Sequence, residues 1–106
     1  MADMFGKIAD MQKKMAETQA QLAAHTVTAE AGGGMVKVTA NGLQRITAIE
    51  MEKDVVDPTD VELLEDLVMA GVNKALEEAS SLAKQEMAKA AGGLIPPGTD
   101  LSRFGL

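Results

Sequence analysis

The chain has no cysteine, no tryptophan and no tyrosine, and only two phenylalanines, three prolines and one histidine in 106 residues. Without cysteine there is no disulfide, no thiolate metal site and no cysteine nucleophile. Nearly without aromatics, the core and any interface lack large ring anchors, and bases have no platform on which to stack. No apolar run approaches the roughly 18 residues of a membrane span. The N-terminus carries Asp3 and Asp10 on an amphipathic pattern where a secretory signal would be apolar. A cytoplasmic location is the expectation, and the lack of cysteine fits a reducing compartment. A single histidine, His25, leaves little for acid–base or nucleophilic catalysis, so no enzyme is expected. His25 falls near a helix C-terminus and reads as a surface or capping residue.

What is present is methionine, alanine and acid. Hydrophobic residues are 46%, eight of them Met, which suggests plastic, helix-rich packing in one domain. The net charge of −6 is unevenly placed. Residues 1–53 hold six bases and six acids, whereas residues 54–106 hold four bases and ten acids. The two halves therefore face different surroundings, or the second is a solvated acidic helix.

The periodicities give five elements. Met1, Met4, Ile8, Met11, Met15, Thr18 and Leu22 follow a 3-4 spacing, a coiled-coil-like seam on a helix from Met4 to Ala24. A first strand covers Val27–Ala31, and Gly32-Gly33-Gly34 turns the chain. A second strand, Met35–Ala40, puts Val36, Val38 and Ala40 on one face and Lys37 on the other. Asn41-Gly42 is a hairpin signal, compatible with a two- or a four-residue turn. Both keep Thr47, Ile49 and Met51 of a third strand, Arg45–Glu52, on the Val36/Val38 face, which a helix should cover. Asp57 reads as the N-cap of a second helix with Pro58 in its first turn. Val61, Leu64, Val68, Val72, Ala75, Ala79 and Leu82 form its apolar stripe, widened by Leu67 and Leu76. Gly92-Gly93 should stop it, leaving 94–106 as a flexible tail to a single domain over 1–93. The fold class is α+β: a three-stranded antiparallel meander flanked by two long helices.

A second helix of about 34 residues is roughly 50 Å long, whereas a compact chain of this size is roughly 33 Å across. It must project and expose its stripe, and a symmetric homodimer is the simplest cover. The candidate interface residues are Met4, Ile8, Met11, Met15, Val36, Val38, Val68 and Val72.

Asp54, Asp57, Asp60 and Glu62 could be set against a divalent metal, but their spacing fits no EF-hand loop and helix capping explains them. Gly32–Gly34 could cradle phosphate, but no lysine-serine pair or helix follows, so a hairpin turn is preferred. No cofactor and no small-molecule substrate are expected. The bases remain as functional candidates: Lys7, Lys13, Lys14, Lys37, Arg45, Lys84 and Lys89. Doubled in a dimer they suit phosphate backbones better than base edges, and no recognition-helix or zinc-finger motif is present.

Several segments carry a family resemblance. They are Met4-Phe5-Gly6-Lys7, then Gly32-Gly33-Gly34-Met35-Val36-Lys37-Val38-Thr39-Ala40-Asn41-Gly42, and the acidic stretch from Asp57 to Asp66. Val72-Asn73-Lys74-Ala75 and Gly92-Gly93-Leu94-Ile95-Pro96-Pro97-Gly98 complete them. Over nearly its whole length the chain resembles the YbaB/EbfC family of bacterial nucleoid-associated proteins. The resemblance implies an α-β-β-β-α fold and a homodimer whose helices project like tweezer arms. It also implies duplex DNA held by those arms in the nucleoid, with an influence on gene expression. The candidate phosphate contacts it implies are Lys7, Lys13 and Lys14, with Lys84 and Lys89 on the distal helix. The alternative is an adaptor for a replication or repair protein, bound by the Met-rich first helix or the Pro-Pro-Gly tail.

Overall fold

The computed structural model describes residues 2–90. The order is α1 (Ala2–Ala24), β1 (Thr26–Ala31), β2 (Val36–Asn41), β3 (Ile46–Met51), a 3-10 turn at Lys53–Val55 and α2 (Val61–Ala90). This is the expected α-β-β-β-α order, with boundaries moved by one to three residues. The expected stop at Gly92-Gly93 and the tail 94–106 lie outside the described residues.

The strands form one antiparallel sheet in the order β1-β2-β3. Val36 and Val38 pair with Ala31 and Ala29 on one side and with Met51 and Ile49 on the other. Paired residues share a face, so this side of the sheet is apolar throughout. The opposite side carries Thr28, Glu30, Lys37, Thr39 and Glu50, with the Thr28 and Thr39 hydroxyls 3.0 Å apart.

α2 lies across β1 and β2 and scarcely reaches β3. Its buried face is a seam of small residues, Gly71, Ala75 and Ala79. The expected stripe contained the two alanines but not Gly71. A mid-helix glycine costs about 1 kcal/mol against alanine, so its presence marks a close approach. A Cβ at Gly71 would stand 2.9 Å from Val38 Cγ2. The bulk comes from the sheet instead: Val36 and Val38 are 0% exposed, worth about 1.5–3 kcal/mol each when fully buried. Val55, from the 3-10 turn, joins this core.

Both turns are built as local chemistry requires. Gly32, Gly33 and Gly34 take φ of +63°, +68° and +94°, the left-handed region that side chains resist. The second hairpin departs from both expected turns. Asn41 N–H donates to the Arg45 carbonyl at 3.0 Å, so the loop is the three residues Gly42, Leu43 and Gln44. The Asn41 carboxamide oxygen accepts from the Leu43 and Arg45 N–H groups, and Gln44 takes φ +60°. An odd loop would invert the face of every later residue. A bulge restores it: Ala40 pairs with Ile46 and Thr39 with Ala48, leaving Thr47 without a partner. Ile49 and Met51 therefore share the Val36/Val38 face as expected, while Thr47 leaves that face and Ile46, opposite Ala40, joins it. The expected helical cover over this third strand is missing, since all six residues of β3 are exposed.

α2 starts three residues after Pro58 because Asp60, not Asp57, caps it. The Leu63 N–H donates to Asp60 Oδ1 at 3.3 Å. Asp57 closes the preceding turn, accepting from the Thr59 N–H at 2.9 Å and its hydroxyl at 2.7 Å. At 30 residues the helix is about 45 Å long, and the principal extents are 69 × 27 × 16 Å. The radius of gyration is 18.9 Å, against about 13 Å for a compact chain of this length.

Gly71→Val should destabilise by about 1–3 kcal/mol in urea melts at fixed protein concentration, through overpacking against Val38. Gly6→Ala, with open space around its Cβ position, should instead stabilise slightly. The Thr59 N–H, then its hydroxyl, hold the Asp57 carboxyl below the usual aspartate range. With the folded value below the unfolded one, this contribution is present above the ordinary aspartate range. It is lost as pH falls through the folded value. An NMR carboxyl titration should show Asp57 titrating low, and Thr59→Ala, which removes only the hydroxyl, should move it part of the way back up.

Candidate functional site

The candidate bases divide between two surfaces. Lys7, Lys13 and Lys14 are exposed on α1. Lys7 and Lys14 lie seven residues apart on nearly the same side of the helix, about 10 Å along its axis, with Lys13 about 100° around. Asp10 and Glu17 stand three or four residues away, yet no ion pair within 4.0 Å ties down these lysines among the described residues. Lys84 and Lys89 are exposed on the last third of α2, about 140° apart around it. Arg45 is exposed beside the second hairpin, at the end of the sheet where α1 joins.

Lys37 stands apart from this group. It projects from the open polar face of the sheet, in register with Glu30 and Glu50, and its Nζ lies 4.0 Å from Glu30 Oε1. Two flanking carboxylates make this a poor place for a further anion.

The acids gather at the other end. Residues 52–66 hold seven acids and one base, net −6, which equals the charge of the whole chain. The other residues therefore sum to zero. This segment runs from the end of β3 through the 3-10 turn into the first turns of α2. From Asp66 to Lys84 is about 27 Å along α2, more than three Debye lengths at physiological salt. The acidic end and the α1 end are thus electrically separate. Among the described residues no three His, Cys, Asp or Glu side chains are placed to hold a metal ion. No described helix is long and apolar enough to cross a membrane.

The apolar candidates also divide. Met4, Ile8, Met11 and Met15 are exposed, by 66%, 50%, 63% and 62%, so the α1 seam has no cover within the protomer. Val36 and Val38 must be removed from the interface set, because Gly71 and its neighbours seal them in the core. Val68 and Val72 pack partly against that core and partly line an open furrow of about 440 Å³ with Leu64, Glu65, Met69 and Asn73. On the same sheet face, Ile46, Ile49 and Met51 are 36%, 42% and 46% exposed. These three were not among the expected interface residues. The signal was the strand count: one helix cannot cover three strands.

His25 is more than a surface cap. Its Nδ1 lies 3.1 Å from Glu86 Oε1, joining the end of α1 to α2. Nothing in the local sequence pairs residues this far apart.

Comparison with known proteins now adds to this geometry. The model of the "YbaB/EbfC DNA-binding family" matches residues 1–94. A nucleoid-associated protein of Syntrophobacter fumaroxidans is 50% identical over 83% of this chain and 80% of its own. One from Thermoanaerobacter pseudethanolicus is 49% identical over 91% and 86%. Among solved structures, an uncharacterized protein of Helicobacter pylori superposes with a TM-score of 0.69 at 21% identity. It covers 80% of this chain and 89% of its own, a likeness of fold.

Proposed function

The chain belongs to the YbaB/EbfC DNA-binding family, whose relatives are nucleoid-associated proteins, and from that premise we propose that it acts as a homodimer gripping duplex DNA by its phosphates. In this reading Lys7, Lys13 and Lys14 on α1, with Arg45, Lys84 and Lys89 near its base, supply the contacts. The protein works in the nucleoid, shaping DNA or gene expression. Lys37, hemmed in by Glu30 and Glu50, drops out of the contact set.

The observation that carries this is the separation of charge. A dimer with a formal charge of −12 is repelled by DNA only where its acids come close, and the −6 of each protomer sits in residues 52–66. The arm end is neutral overall and, among the described residues, no ion pair within 4.0 Å ties down its lysines, so counterion release from phosphates can drive binding there. The absence of aromatics and of a recognition motif favours backbone contact over base readout.

The homodimer is supported by three uncovered apolar surfaces: the α1 seam, the β3 face and the α2 furrow. Contiguous apolar surface of this kind marks an interface. The free edge of β3 adds unpaired backbone groups.

Fluorescence anisotropy on a short duplex tests the DNA reading. With about four phosphates engaged, affinity should fall about 10²-fold between 50 and 200 mM salt. Lys13→Ala/Lys14→Ala should weaken binding alike for all sequences and flatten the salt slope, whereas Lys37→Ala should change neither. No binding at 50 mM salt would sink the reading. For the dimer, Ile49→Lys should yield a monomer in sedimentation equilibrium, and a Val68→Lys protomer should do the same. An unchanged dimer in both would remove β3 and α2 from the interface.

A further inference from the structure

α1 is a lever with a very small foothold. All of residues 4–17 are exposed, Thr18 is half-buried and only Leu22 is buried, at 6%. What fixes the helix to the rest of the protomer lies within a few residues of its C-terminal end. The Gly42 N–H donates to the Leu22 carbonyl at 2.8 Å and to the His25 carbonyl at 3.0 Å, satisfying groups that a helix end leaves open. The approach is so close that a Cβ at Gly42 would stand 2.8 Å from the Leu22 carbonyl oxygen. These contacts hold one point of α1 against the second hairpin. α1 also touches α2, so its direction depends on how this short foothold as a whole is held.

The second point is the His25–Glu86 pair. His25, whose carbonyl is held by the hairpin, turns its ring to α2, with Nδ1 3.1 Å from Glu86 Oε1. Only 13% of the Glu86 side chain is exposed, so its carboxylate is costly to leave without a donor. Among the described residues the pair is the one contact within 4.0 Å between an acidic side chain and a basic or histidine side chain that links the start of the chain to α2. We propose that His25 and Glu86 are positioning residues that set the direction of the α1 arm, and with it the spacing of Lys7, Lys13 and Lys14 for DNA. This deepens, and rests on, the DNA-binding reading above.

Lever arithmetic shows why direction matters. Lys7 is fifteen residues from Leu22, about 22 Å along the helix. A tilt of about 10° at the foothold moves Lys7 by about 4 Å, more than the ~3.4 Å axial step between phosphates of one strand. An arm free to tilt would spend its time out of register, and affinity would fall by the fraction of misplaced arms.

Because the chain has no cysteine, two can be introduced without background. Ala9→Cys on α1 and Ala70→Cys on α2 place spin labels on exposed positions. Dilution with unlabelled full-length protein restricts the distances to one protomer. The parent protein should give one narrow distance distribution. His25→Ala and Glu86→Ala should each broaden it, and the double variant should be no broader than either. His25→Asn, whose amide nitrogen stands near the place of Nδ1, should restore the narrow distribution. Affinity for a duplex should fall about two- to fivefold in the alanine variants and recover in the asparagine variant. Thermal midpoints should fall in His25→Ala, which strands the Glu86 carboxylate, and less in Glu86→Ala, so the distance distribution and not the midpoint reports positioning. An unchanged distribution in both alanine variants, or broadening that asparagine does not reverse, overturns the proposal. Broadening without any loss of affinity overturns the link to DNA. A parent protein that fails to bind DNA overturns the binding reading alone, because the distances still decide the clamp.

Discussion

The contact on which the rest depends is the seating of α2 on the sheet through Gly71, Ala75 and Ala79. Small residues on the helix and valines on β2 let the two backbones come close, and the molecule is only 16 Å thick along its shortest axis. A narrow seam covers two strands, not three. β3 is therefore left uncovered, and an apolar furrow along α2 stays open as well. The elongated form and the exposed apolar surfaces share this one cause.

Much of this was legible in the residues. The alternation of Val36, Val38 and Ala40 gave the buried face, and three successive glycines gave a turn with positive φ. Other features were hidden because they depend on pairs remote in sequence. The three-residue loop and its compensating bulge at Thr47 cancel, so the face of Ile49 and Met51 came out as expected for a different reason. Val36 and Val38 were assigned to an interface because their pattern says only that they are buried, not what buries them. Gly71 lies beside the apolar stripe and adds nothing to its periodicity, although a glycine inside a helix signals close contact. Asp57 and Asp60 are both good caps, and only the turn around Thr59 decides between them.

Charge was legible as a total but not as a field. A sum of −6 argues against a nucleic-acid partner, whereas the arrangement does not. The sheet places the end of β3 and the start of α2 at one pole, and α1 and the end of α2 at the other. With screening lengths of about 8 Å, distance along a helix does what a change of sign would otherwise have to do. The candidate site is thus a product of topology more than of composition, and its lysines were identifiable while their distance from the acidic segment 52–66 was not.

The slight burial of α1 has a consequence for how the protomer breathes. In a protomer without its partner, opening the first turns of this helix uncovers almost no apolar surface, so its amide protons exchange with solvent nearly as those of an isolated helix do. Those of β2, enclosed between two strands and under α2, exchange only when the whole sheet comes apart. One chain therefore keeps two clocks: a fast one in the arm and a slow one in the platform that carries it.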